Sequence, residues 1–229
     1  MPLQKEFHYK CYKSSLTSIL EVEKQMQHIQ KELVGTNLKN LMYFNQAYLL
    51  ISKNVFTATK LHYFHDEKTM ESVDIQFAHY YFDALKGYTT RKSISPAWQL
   101  TFTFCKENRS IPLIYLALGV NAHVINDLGL ALNDVIKDQS FKKDFNKVNK
   151  IIFGSLTEVM KYCKISKIYS PFMQVLIWHW RKKAWNNFSK LSTKQYTKEG
   201  IEKKAYEYAV ALTRIYSEKD FYQLSRIIR

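Results

Sequence analysis

Apolar residues recur every three or four positions along almost the whole chain, the period of one face of an α-helix. Leu16, Ile19, Leu20, Met26, Ile29 and Leu33 predict a first helix over 14–34, capped by Ser14 or Ser15 and stopped by Gly35. Leu38, Leu41, Met42, Tyr48, Leu49, Val55 and Phe56 predict a second, and position 45 on that stripe is an asparagine. A third runs from Met70 through Val73, Phe77, Ala78, Tyr81 and Leu85 to Gly87, with Asp74 one turn from Met70 and Ala78 on the apolar face. The segment L-H-Y-F-H-D-E-K between them reads as a connection.

Pro96 to about Lys106 carries Trp98, Leu100, Phe102 and Phe104, a spacing that suits a short helix and also a strand. From Ser110 to Asp134 the first half is apolar on every side, so a helix there is a buried one, surrounded by other helices. Phe141, Phe145, Val148, Ile152, Leu156, Val159, Met160 and Cys163 form a one-faced helix with lysines opposite. Ser170-Pro171 opens another, with Ile177, Trp178, Ala184, Trp185, Phe188 and Leu191 on its stripe and Arg181 among them. One or two C-terminal helices over 197–229 complete the chain, with Ser217 to Asp220 as a weak cap and Arg226 and Arg229 as a basic end. The expectation is all-α: a single domain over 1–229, a bundle of six to eight helices around a buried central one.

Composition agrees. The 229 residues are 46% hydrophobic, enough for a full core, and hold only 6 Gly and 4 Pro, too few for a loop-rich or all-β protein. Ser95-Pro96, Ser110-Ile111-Pro112 and Ser170-Pro171 place prolines where helices start. Cys11, Cys105 and Cys163 are odd in number and far apart, which suggests reduced thiols rather than disulfides or a zinc knuckle. The charged N-terminus has no apolar core of a signal peptide, and no run approaches about 18 uninterrupted apolar residues. A soluble, cytoplasmic protein with no membrane partner is expected. The net charge of +14 raises a nucleic-acid-binding alternative. Lysines spread along the whole chain, without an arginine-rich block, favour a solvated surface instead.

Four helices place polar residues where their stripes predict core: Asn45, Asp74, the cluster Asn121, His123, Asn126 and Asp127, and Arg181. Buried polar groups cost free energy unless satisfied, so their convergence in a polar centre is expected, and bundle cores often build sites this way. At about 100° per residue His123 and Asp127 lie roughly 40° apart, with Gly119 one turn before the imidazole, opening a gap for a backbone or ligand. Two readings follow. In one the residues are a structural network, with Arg181 neutralising Asp74 or Asp127, in a scaffold whose polar centre fixes helix register. In the other His123, Asp127 and Asp74 are catalytic, and Asn45, Asn121, Asn126 and Arg181 bind a small-molecule ligand.

The second reading has two versions. His123-x-x-x-Asp127 suits a divalent metal such as zinc or iron, with a third ligand from Asp74, His79 or the trio His62, His65 and Asp66. Without metal, His123 is a general base oriented by Asp127 or Asp74. No nucleophile elbow, phosphate-binding glycine loop or dinucleotide fingerprint is present. The sequence fixes no oligomeric state.

The stretch G-V-N-A-H-V-I-N-D-L resembles the hallmark of an uncharacterised bacterial family of helical proteins, approximately G-M-N-A-H-I-N-x-D-L. F-N-Q-A-Y-L at 44–49, V-D-I-Q-F-A-H-Y-Y-F-D-A-L at 73–85, P-A-W at 96–98 and W-R-K-K-A-W at 180–185 extend the resemblance over about 38–190, with Val120 where the family has Met. It implies an all-helical fold in which Asn121, His123 and Asp127 are distinctive, and brings no established activity. Helical zinc-dependent phospholipases and nucleases carry a similar H-x-x-x-D helix, but add further histidines downstream, and this chain has none suitably placed.

Overall fold

A computed structural model describes residues 5–11, 16–107, 110–137 and 139–215. The Ser14 or Ser15 cap, the Ser217–Asp220 cap and the basic end at Arg226 and Arg229 lie outside the described residues. Among the described residues the fold is all-α, with eight helices: α1 (Ile19–Leu33), α2 (Met42–Lys60), α3 (Glu67–Thr89), α4 (Pro96–Glu107), α5 (Pro112–Val135), α6 (Lys142–Tyr162), α7 (Ser170–Ser192) and α8 (Lys198–Thr213). Residues 96–107 are helix rather than strand, with Trp98, Phe102, Phe104 and Cys105 on the buried side.

The helix starts follow capping chemistry. Ser18 caps α1 by accepting from the Glu21 backbone N–H, while Glu21 accepts from the backbone N–H of Thr17. Asp66 caps α3 and Thr197 caps α8 in the same manner. Gly35 ends the first helical segment at a φ of 74°, a conformation that glycine adopts without cost.

Helix α5 runs through the middle, packed against α2, α3, α4, α7 and α8. It is long and apolar enough on average to cross a membrane, but 89% of its most apolar window is buried inside the protein. Its middle, Asn121–Asp127, is π-helical, with the Leu128 N–H reaching back to the His123 carbonyl. Such widened turns often mark functional sites. Side chains from neighbouring helices tie this segment down: Asn121 donates to the Ala205 carbonyl of α8 at 2.9 Å, and Asn187 of α7 donates to the Ile125 carbonyl at 3.1 Å.

Candidate functional site

Asp127 organises the centre. Its Oδ2 accepts from His123 Nδ1 at 3.0 Å and from the Trp98 indole N–H at 2.8 Å, and its Oδ1 accepts from the Asn126 amide at 2.7 Å. These bonds fix the imidazole as the tautomer with its proton on Nδ1, leaving a lone pair on Nε2. Nε2 is buried and has no hydrogen-bond partner among the described residues. Burial pushes the His123 pKa below its ordinary value, against the upward pull of Asp127, so the ring is neutral at pH 7. Rings enclose it: Phe77 stacks on it at 3.5 Å and 7°, Tyr48 sits at 4.4 Å, and Phe44, Tyr81 and Trp98 complete the shell.

The gap expected beside Gly119 is filled. A methyl group there would run into the Phe44 ring, so the glycine admits an aromatic side chain of α2 rather than a ligand.

On its other side the imidazole joins the wall of a cavity of about 120 Å³ between α2, α3, α5, α6 and α7. That is comparable to an engineered apolar cavity of roughly 150 Å³ that takes up benzene. Its lining is almost wholly apolar, including Val55, Val73, Leu116, Val148, Ile177 and Trp180. The polar exceptions are His123, Tyr48, Asp74 and Arg181. Besides Nε2, Asp74 Oδ2, in another residue that lines the cavity, is buried without a hydrogen-bond partner among the described residues, while the buried Tyr48 hydroxyl lies against Ser52. Burial first, then the nearby Glu23 and Glu71 carboxylates, push the Asp74 pKa up to about 7.

The polar residues do not form one network. Asn45 donates to the Met26 carbonyl at 3.0 Å and to Gln30 at 2.7 Å and accepts from the Tyr81 hydroxyl at 3.2 Å, tying α2 to α1 and α3. Asn121 joins α5 to α8. Arg181 neutralises neither Asp74 nor Asp127; its Nε donates to Asn149 at 2.5 Å and an Nη to the Phe145 carbonyl at 2.7 Å, and its guanidinium stacks on the Phe145 ring at 4.1 Å. Asp74, His123 and Arg181 share the cavity rather than a hydrogen bond.

The trio proposed as a third metal ligand is engaged elsewhere. His62 pairs with Glu67 at 2.8 Å, Asp66 caps α3, and the backbone of His65 and Asp66 bonds Asp144. Among the described residues no group of three or more His, Cys, Asp and Glu side chains is placed to share a metal ion.

A family model described as a family of unknown function, DUF5995, matches residues 19–216. The chain belongs to DUF5995. Comparison with curated proteins and with solved structures yields no match. The matched span takes in α1 and α8, beyond the 38–190 covered by the resemblance in sequence. In this DUF5995 member two features escaped sequence reasoning. Trp98 was legible as an apolar residue of the 96–106 element and of the P-A-W segment, without a hydrogen-bonding role, and the ring shell from Phe44, Tyr48 and Phe77 read as ordinary core.

Proposed function

We propose that the protein binds a small, mostly apolar molecule in the cavity beside His123, and that the imidazole meets the ligand through Nε2. What carries this reading is that Nε2 is buried and without a partner among the described residues, in a residue that lines an apolar cavity, while Nδ1 is held by Asp127. A neutral imidazole in that state accepts a hydrogen bond from a ligand hydroxyl or amide, or takes a proton from a bound hydroxyl or water as a general base. Asp127, steadied by Trp98 and Asn126, stabilises the imidazolium that such a transfer creates. Tyr48 and Asp74 add polar residues to the same lining.

Binding of benzyl alcohol and toluene, followed by ligand-observed NMR and thermal shift, tests it. Wild type should favour the alcohol by about fivefold to tenfold, the worth of one buried hydrogen bond. His123→Phe should bind both alike. Equal affinity of wild type for the two, or binding of neither, would end the reading.

The scaffold alternative finds its support in Asn45, Asn121 and Asn187, each spanning two helices. These residues set register, and none of the three lines the cavity.

A further inference from the structure

Arg181 lines the same cavity, is buried, and has no carboxylate at ion-pair distance among the described residues. The Asn149 amide oxygen and the Phe145 carbonyl occupy two of its five N–H donors, both from neutral acceptors. The Phe145 face supports the guanidinium plane without cancelling its charge. Desolvation alone, with no carboxylate opposing it, pulls its pKa down to about 9, so it stays charged at neutral pH. A buried cation without a counter-ion weakens the empty protein, which leaves an anion to be supplied from outside.

Resting on the cavity reading above, we infer that the ligand is a small apolar monocarboxylate whose acidic group pairs with Arg181. The planar guanidinium matches a carboxylate in two parallel hydrogen bonds. The cavity's size and its rings, among them Phe44, Phe77, Phe141 and Trp180, suit a short arylalkyl or alkyl body. A single negative charge fits better than a dianionic phosphate, because the rest of the lining offers no second cation.

Calorimetric titration of the full chain with 3-phenylpropanoate and octanoate, each beside its matched primary alcohol, tests the inference. Wild type should bind each carboxylate at least about tenfold more tightly than its alcohol, as expected for a charge-assisted bidentate pair. In Arg181→Met this preference should vanish while alcohol binding persists, and the ligand-free variant should melt no lower than wild type. Arg181→Lys, which keeps the charge but not the fork, should retain part of the preference. Alcohols binding as tightly as carboxylates to wild type, or a preference that survives Arg181→Met, overturns the inference and leaves the cavity reading standing. Binding of neither class overturns both.

Discussion

Two buried aspartates have opposite surroundings. Asp144, at the start of α6, accepts the backbone N–H groups of His65 and Asp66 at 2.8 Å each and pairs with Lys147 at 2.8 Å. Burial alone would raise its pKa, but the Lys147 ammonium and the two backbone bonds outweigh that and hold it below the usual carboxylate range. Asp74, which lines the cavity, leaves Oδ2 without a partner among the described residues and has its pKa pushed up to about 7. Asp144 is surrounded by donors, whereas Asp74 Oδ2, in a residue that lines the cavity, meets none among the described residues.

Replacing each aspartate sharpens this contrast, and the largest effect belongs to Asp144. Asp144→Ala strips two backbone N–H groups of their acceptor, and the expected loss is about 3–5 kcal/mol in urea denaturation. A loss under about 1 kcal/mol would erase the contrast. Asp74→Asn should act in the other direction. The folded chain keeps a proton on Asp74 that the unfolded chain releases above its ordinary pKa of 3.8, so this contribution to stability is complete below pH 3.8 and is lost as the pH rises to about 7. At pH 8 the asparagine variant should exceed wild type by about 2 kcal/mol, allowing for its own unpaired amide, with the gain disappearing by pH 4. A variant less stable than wild type at pH 8 would show that Asp74 has a partner after all. Gly119→Ala probes the packing behind the imidazole: its methyl meets Phe44, so a loss of about 1–3 kcal/mol is expected in thermal melts. An unchanged melting temperature would mean that the Phe44 ring is not held there.

Much of the architecture was legible because helical period reports burial directly. Asn45, Asp74, His123, Asp127 and Arg181 fall on apolar stripes, and all five are buried. The one-turn spacing of His123 and Asp127 likewise anticipated their hydrogen bond. A helical wheel gives a direction but not the neighbour met in that direction. It therefore missed that Phe44 fills the space over Gly119, that Trp98 reaches Asp127 from 29 positions away, and that Arg181 turns to Asn149 and Phe145 instead of an aspartate. The π-helical turn was invisible for a related reason: N-A-H-V-I-N-D has nothing local that forbids an ordinary α-helix, and the widening is held by contacts such as Asn187 to the Ile125 carbonyl. The metal reading needed a third ligand from Asp74, His79 or the loop residues His62, His65 and Asp66, and sequence spacing said nothing of their distance from His123.

The most direct test is long-range proton–nitrogen NMR on protein carrying ¹⁵N-labelled histidine, with His123→Phe used to assign the signal. At pH 7 the His123 ring should be neutral, protonated on Nδ1 and bare on Nε2, and it should remain neutral as the pH falls through 6.5. A proton on Nε2, or a charged imidazole at pH 7, would contradict the account.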